Sequence, residues 1–238
     1  MEITEHQLID MTRHVDDQHR AAMGTMPSEI RELQSASRTG ALLEARRSTW
    51  ASPAAKTLIA IGGAAIPLVA FARSAAAAGD GDIAAFAASV ELAAVEAYKA
   101  AAASGKVTTK AVGDAATAFA GHHAEHAAAF AAAAGSMSTG KPNPKLLAAV
   151  AAQLQGATDE MAIVKIAFDL ENAAAATYMF ALGALTSAPA LQLTASILPV
   201  EAQHAVVLGQ VLGLSGAALV PPFETATATV DPAAFPAA

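Results

Sequence analysis

Two stretches of the chain place the same pair of residue types, a glutamate and a tyrosine, at one interval inside apolar sequence. Glu91 precedes Tyr98 by seven residues, and Glu171 precedes Tyr178 by seven residues. Burying a carboxylate that has no partner costs several kcal/mol. Because a bound cation offsets that cost, the pattern indicates a metal site at the centre of a helix bundle.

Histidines occur at helical spacing in the same kind of sequence. His123 and His126 are three residues apart, and so are Glu201 and His204. This spacing places both members of a pair on one helical face. Two such pairs, with one further Glu from each of two other helices, have the ligand geometry of carboxylate-bridged dinuclear sites. Oxygen and imidazole donors suit iron or manganese better than copper.

The direction in which these residues point follows from the helical rotation of about 100° per residue. Glu91 falls on the face of Val95, Glu171 falls on the face of Val164, and His126 lies near the centre of its helix's apolar face. Each residue could instead be satisfied locally, for example in an isolated Glu–His ion pair. The same preference in four helices favours one shared site.

The composition predicts an all-α protein, because the chain is 54% hydrophobic and 15% charged and much of its apolar content is Ala. The net charge is −7 and no arginine follows Arg73. An acidic region without arginine, such as residues 80–238, is a poor candidate for nucleic-acid binding. The absence of cysteine excludes disulfides, zinc–thiolate sites and iron–sulfur clusters.

The chain divides into four parts. We predict a polar helical extension at 1–45, a signal or anchor segment at 46–79, a helix bundle at 80–214 and an extended tail at 215–238. Within the bundle, Asp82 and Thr158 are the expected helix caps. The predicted long helices span about 82–104, 108–134, 158–185 and 189–213, with a short helix at 145–154. The sequence therefore predicts an up-down four-helix bundle with a long middle connection.

The N-terminal extension is expected to form an amphipathic helix from Glu5 to about Leu33, broken near Gly24 and Pro27. Its histidines and aspartates are interpreted as a solvated face. A separate metal site in this extension has little support.

Residues 46–79 contain the parts of an export signal: Arg46 and Arg47, an apolar run at 57–72 and a small-residue stretch. The paired arginines resemble a twin-arginine signal, although Ser48 follows them where a Phe-Leu pair is usual. The run is short for a membrane span, which needs roughly 20 residues. We expect export, or membrane anchoring through 57–72, with the bundle outside the cytoplasm. The alternative is a cytoplasmic protein in which this run is a buried Ala/Gly-rich helix.

The segments Ser89–Tyr98, Leu170–Tyr178 and Val200–Ala205 resemble the ferritin-like superfamily, and most closely the exported bacterial ferritin-like domain proteins of actinobacterial type. The resemblance covers about residues 80–235. It implies a four-helix bundle that binds two irons and reacts with dioxygen or peroxide.

The resemblance also implies a role for each matching residue. Glu91 and Glu171 would be the metal ligands of the first and third bundle helices, Glu201 and His204 those of the fourth, and His126 the histidine of the second.

The chain departs from the family pattern at His123, which stands where the family carries a glutamate. This change removes one bridging carboxylate and leaves ferroxidase activity open, and His122 or Glu125 are the candidates to substitute. Tyr98 and Tyr178 are either core tyrosines with bonded hydroxyls or hydrogen-bond donors and electron carriers beside the metals.

Two functions follow from these residues. One is a dinuclear iron or manganese protein that oxidises iron or reacts with oxygen or peroxide outside the cytoplasm. The other is a metal-free structural or interaction module of the cell envelope. The sequence leaves the oligomeric state open, with a dimer as one option, and an iron-storage cage is not expected.

Overall fold

The computed structural model of the protein describes residues 3–37, 60–61, 64–65, 79–220, 230, 232 and 235–236, with side chains of the first helix described through residue 24 and at Met26. Six α-helices make up most of the described chain: α1 Glu5–Ser37, α2 Asp80–Ala103, α3 Lys110–Ala134, α4 Pro144–Gly156, α5 Glu160–Ala184 and α6 Ala188–Val211. Short 3₁₀ turns lie at Gly135–Met137 and Gly216–Ala218. Two short strands, β1 Ala60–Ile61 and β2 Ala64–Ala65, pair antiparallel.

The bundle consists of two closely packed helix pairs, α2 with α3 and α5 with α6. The connection between the pairs begins where Met137 lies against Gly81. It ends at Glu160, whose Oε2 accepts a hydrogen bond from the backbone N–H of Thr108 at 2.6 Å. The connection therefore travels the length of the bundle and carries α4 across α2 and α5. The all-α prediction is confirmed, and this arrangement has one long crossover connection.

The helix caps differ from the predicted ones by a few residues. Asp159 caps α5 by accepting from the Ala162 N–H at 2.9 Å, one residue after the predicted Thr158. Gly79 is the N-cap residue of α2, and Asp82 reaches back to accept from the Gly79 N–H at 3.0 Å. In both places a carboxylate satisfies a helix N–H group that has no partner inside the helix.

The first helix is continuous, so the predicted break near Gly24 and Pro27 is wrong. It lies against α3 and α6. Its buried side chains are spaced seven, four and seven residues apart, which places them on one helical face: Leu8, Val15, His19 and Met26. The interpretation of all its histidines as a solvated face is therefore wrong for His19.

The described residues of the C-terminal tail lie against the bundle. Val230 is buried, and its N–H donates to Oγ1 of Thr177 at 2.7 Å. The side-chain amide of the buried Asn143 donates to the carbonyl oxygen of Phe235 at 2.7 Å. These bonds hold two points of the tail against the helices.

The predicted signal or anchor lies mostly outside the described residues. Of the apolar run at 57–72, the described residues are those of β1 and β2, which are extended and not helical. Among the helices that the structure describes, none combines the length and the apolar character needed to cross a membrane.

The apolar core is interrupted halfway along the four bundle helices. Phe119 belongs to one buried cluster, and Phe130, eleven residues later on α3, belongs to another. On α6, Ile197 belongs to the cluster of Phe130 and Leu208 belongs to the cluster of Phe119. A third cluster lies between α2, α4 and α5. Polar residues occupy the level between the first two clusters.

Candidate metal centre

Each of the four bundle helices contributes at least one fully buried ionisable side chain at its middle level. These side chains are at most 3% exposed, and together they are called the Glu/His cluster: Glu91 on α2, His123 and His126 on α3, Glu171 on α5, and Glu201 and His204 on α6. They are the six ligands predicted from sequence. The tertiary structure brings all of them together.

The Glu/His cluster contains two overlapping sets of possible ligand atoms. One set comprises Glu91, His123, His126 and Glu201; the other comprises His123, Glu171, Glu201 and His204. Within each set, one atom from every residue lies within 4.8 Å of the others. Because His123 and Glu201 belong to both sets, the two positions are adjacent.

His123 lies between two carboxylates and directs one ring nitrogen to each. Its Nδ1 is 2.6 Å from Oε2 of Glu91, and its Nε2 is 3.1 Å from Oε1 of Glu171. Burial alone would lower the pKa of His123, but the charges of Glu201, Glu171 and Glu91 raise it well above its usual value. Without a metal, His123 is therefore a buried cation between two anions.

The other two histidines face the carboxylates in the same way. Nδ1 of His126 is 2.8 Å from Oε1 of Glu201, and Nδ1 of His204 is 3.3 Å from Oε2 of Glu171. Burial opposes the charged form of His126, yet the charge of Glu91 and its contact with Glu201 raise its pKa to about 9. The pKa of His204 is also raised despite burial, chiefly by the charge of Glu171.

The carboxylates show the complementary effect. Burial would raise the pKa of Glu91, but the nearby charges of His123 and His126 lower it to about 2. The pKa of Glu171 lies well below its usual value despite burial, because His123 and His204 face it. Protons on the imidazoles therefore balance the anionic charge of the metal-free cluster.

The two tyrosines connect α2 and α5 through crossed hydrogen bonds. The Tyr98 hydroxyl donates to Oε1 of Glu171, and the Tyr178 hydroxyl donates to Oε1 of Glu91. Each tyrosine thus bonds the glutamate of the opposite helix and not the glutamate seven residues before it on its own helix. Burial raises the pKa of both phenols well above its usual value, and the adjoining carboxylates add to the effect. Both hydroxyls therefore keep their protons and donate.

The side chains of Glu201 and His126 give the strongest indication that the Glu/His cluster could hold a metal. Both side chains are fully buried, yet no oxygen of Glu201 and no ring nitrogen of His126 has a partner in hydrogen-bonding geometry. The 2.8 Å contact between them is short but does not meet that geometry. Buried polar atoms are normally paired. Oxygen and imidazole donors that converge without bonding one another suit a divalent cation of the iron or manganese type.

A polar contact chain on the α1 side was not anticipated from sequence. Nε2 of His204 lies 2.9 Å from Nδ1 of His122, whose Nε2 lies 3.1 Å from Oδ1 of Asp16. The His19 ring packs on His122 and His126, with centroid distances of 4.0 and 4.9 Å. The signal that could have found His19 is its place on the same helical stripe as Leu8, Val15 and Met26.

Neither proposed substitute for the missing carboxylate belongs to the Glu/His cluster. His122 is buried, but its nitrogens face His204 and Asp16. The Glu125 side chain is 58% exposed, and its Oε2 lies 3.8 Å from Nε2 of His19. His123 therefore occupies the position itself, and among the residues that the structure describes no further carboxylate joins the cluster in its place.

Buried glutamates and histidines halfway along a four-helix bundle with one long crossover are typical of ferritin-like helical proteins. The family model of the ferritin-like domain, Ferritin_2, matches residues 79–214, more than half of the chain. The chain therefore belongs to the ferritin-like domain family. No curated protein and no solved structure matches the chain. The matched region begins after α1, so Asp16 and His19 lie outside it.

Proposed function

We propose that the chain binds two divalent metal ions, iron or manganese, in the Glu/His cluster. The observation that carries this proposal is Glu201, whose two carboxylate oxygens are buried without hydrogen-bond partners and which belongs to both sets of possible ligands. A carboxylate whose two oxygens are not held by hydrogen bonds can serve two adjacent cations.

The remaining residues divide between the two positions. Glu91 and His126 would hold one ion, and Glu171 and His204 the other. A neutral imidazole has one lone pair, so His123 can complete only one position at a time. Binding requires the imidazoles to release their protons, which makes metal affinity fall with falling pH.

We infer an oxidoreductase activity at this site, either oxidation of iron or reaction with oxygen or peroxide. Two ferrous ions would supply two electrons, the number needed to reduce one peroxide to water. The chain's own residues support such chemistry in two ways. Burial of the Glu/His cluster excludes bulk water, and the hydroxyls of Tyr98 and Tyr178 hold Glu171 and Glu91 in place.

Metal analysis of the purified full-length chain tests the proposal. We expect about two equivalents of iron or manganese per chain, and loss of at least one in Glu171→Gln. Asp169→Asn is the matched control on the same helix, because Asp169 is exposed and pairs with Lys165 at 2.6 Å. Less than one equivalent in the wild type, unchanged by Glu171→Gln, would refute the metal site.

Ferrous iron oxidation, followed by absorbance in the presence of air or peroxide, tests the activity separately. A protein that binds iron but oxidises it no faster than buffer does would retain the metal site and lose the proposed oxidoreductase function. Such a result would agree with the replacement of a bridging carboxylate by His123.

The metal-free structural module remains the second candidate, because the Tyr–Glu and His–Glu contacts satisfy Glu91, Glu171 and His123 without a metal. A ligand that binds only the folded state must stabilise it. We therefore expect chelator-treated protein to melt below the metal-loaded form. Equal melting temperatures would favour the structural module.

We propose that α1 and the bundle occupy the same compartment. Leu8, Val15 and His19 are buried, and α1 packs on α3 and α6. A membrane span at 57–72 would separate α1 from the bundle, and cleavage near residue 79 would remove it. This supports an uncleaved chain, either cytoplasmic or exported whole. Tags at the two termini, probed by protease in intact cells, test this: protection of only one tag contradicts the proposal.

A further inference from the structure

A chain of hydrogen-bonding contacts connects His204 of the Glu/His cluster to Asp16 of α1. Nε2 of His204 lies 2.9 Å from Nδ1 of His122, and Nε2 of His122 lies 3.1 Å from Oδ1 of Asp16. The His122 and His204 rings are nearly parallel, with an interplanar angle of 16°. Because His122 is buried and Asp16 is partly exposed, the contacts run from the cluster toward the surface.

The direction of each hydrogen bond follows from the carboxylate at the end of the chain. Asp16 pairs with Arg20, and an ionised carboxylate can only accept, so Nε2 of His122 carries the proton. A neutral imidazole has one donor and one acceptor nitrogen, which makes Nδ1 of His122 an acceptor. A second proton at Nδ1 would make His122 a buried cation whose proton faces another ring nitrogen, and burial disfavours that form. Nε2 of His204 is therefore the donor to His122.

This direction decides which nitrogen of His204 can bind a metal. Nδ1 of His204 faces the carboxylates, at 3.3 Å from Oε2 of Glu171 and 3.6 Å from Oε2 of Glu201. Since His122 holds the proton on Nε2, the nitrogen that must be free of its proton for metal binding is Nδ1. A partner at the second ring nitrogen fixes the tautomer and the ring orientation of a metal-binding histidine.

His126, the corresponding imidazole of the other position, has different neighbours. Its Nδ1 faces Oε1 of Glu201 at 2.8 Å, but no residue that the structure describes forms a hydrogen bond with its buried Nε2. The ring of His19 packs beside it, with a centroid distance of 4.9 Å. The first helix therefore supports His204 through hydrogen bonds, whereas it meets His126 through ring packing.

We propose that Asp16 and His122 are positioning residues of the metal position formed by Glu171 and His204. They hold the Nε2 proton of His204 and leave its Nδ1 for the ion. The first helix, which lies outside the matched family domain, is thereby part of the metal centre. This role rests on the proposed function, whereas the location of the proton on His122 does not.

Nitrogen NMR of the metal-free full-length chain with isotope-labelled histidines locates the proton on His122. Protonated and unprotonated ring nitrogens differ in chemical shift, and the signals of His122 are those missing from His122→Phe. We expect a protonated Nε2 and an unprotonated Nδ1 at neutral pH. A proton on Nδ1 of His122 would overturn the proposal.

Manganese(II) titration of the full-length chain, followed by electron paramagnetic resonance of the free ion, tests the positioning role. We expect two equivalents in the wild type; in His122→Phe one of them should bind roughly tenfold more weakly and the other should be unchanged. His122→Asn keeps an acceptor oxygen near the place of Nδ1 and should lose less affinity. Asp114→Asn is the control on the same helix, because the Asp114 side chain is exposed and pairs with Lys110. If His122→Phe does not fold, Asp16→Ala takes its place.

The pattern of losses separates a positioning role from a general weakening of the fold. Equal losses at both equivalents, no loss at either, or equal losses in His122→Phe and His122→Asn would overturn the proposal. Two manganese equivalents that are insensitive to these changes refute the positioning role and leave the metal site intact. Less than one equivalent in the wild type refutes the metal site, and the positioning role with it.

Discussion

On the side of the Glu/His cluster that faces α1, rings pack against rings, whereas on the side that faces α4 the cluster borders an apolar cavity. Phe119 stacks on His204 with a centroid distance of 4.0 Å, and His122 joins His204 to Asp16. On the opposite side, Glu91 and Glu171 are among the residues that line the cavity, and tyrosine hydroxyls hold both carboxylates.

The difference in packing indicates different roles for the two sides of the Glu/His cluster. Packed rings on the α1 side leave His204 little freedom to rotate, so this side can orient a ligand. The α4 side leaves space next to the carboxylates, so it can admit a reactant. The following predictions test whether the two sides differ in this way, starting with the largest expected effect.

The pH dependence of the metal-free protein should separate the two sides, since each pKa unit corresponds to about 1.4 kcal/mol. His126 faces the carboxylates and has a pKa of about 9. Its contribution to stability is complete below the unfolded pKa near 6.5 and is lost as the pH rises through 9.

On the α1 side the shifts have the opposite sign. Burial, followed by neighbouring imidazoles, lowers the pKa of His19 to about 3; burial and His204 lower that of His122 to about 4. Their contributions to stability are complete above pH 6.5 and are lost as the pH falls through 4 and 3.

Urea unfolding of chelator-treated protein should therefore show maximal stability near pH 6.5. His19→Phe should weaken only the loss of stability on the acid side of this maximum. Stability that changes monotonically from pH 4 to 9 would contradict the assignment.

Truncation in the core should cost more on the α1 side. Phe119 is completely buried, so Phe119→Ala should lower the free energy of unfolding by about 3–5 kcal/mol. Leu154 already borders the cavity, so Leu154→Ala should cost about 2 kcal/mol, the lower end for such a change. Chemical denaturation measures both values. Equal costs would mean that the two sides are equally well packed.

Metal binding should depend most strongly on Glu201, which belongs to both sets of possible ligand atoms. Glu201→Gln keeps the size of the side chain and removes its charge, and it should weaken metal binding more than the ~100-fold upper limit typical of groups that only orient a ligand. Competition with a chelator measures the affinity. Glu96→Gln is the control, because Glu96 is partly exposed and bonds Lys99. Equal losses in the two variants would rule out a direct role of Glu201.

The smallest expected effect concerns the contact chain on the α1 side. Asp16→Ala removes the partner of His122 and should weaken metal binding about tenfold, because His204 loses support for its orientation. Asp17→Ala is the matched control, since the Asp17 side chain is 66% exposed. An Asp16→Ala variant with unchanged affinity would show that α1 covers the site without orienting it.

Much of the fold and the six members of the Glu/His cluster could be predicted because the responsible signals are local. Helical periodicity places Glu91 and Glu171 on apolar faces whatever lies opposite them. The spacing of Glu201 and His204 puts both on one face by backbone geometry alone. The caps were predicted less well, because Thr158 and Asp159 are both good capping residues and neighbouring contacts decide between them.

What the sequence determined by itself is therefore the helices of the bundle and the types and faces of the buried glutamates and histidines. The tertiary structure decided which side chains are in contact across helices. Tyr98 bonds Glu171, Tyr178 bonds Glu91, and His19 is buried beside His122. It also decided that a cavity remains between α2, α4 and α5. These features depend on how helices far apart in the chain pack together, which no local periodicity encodes.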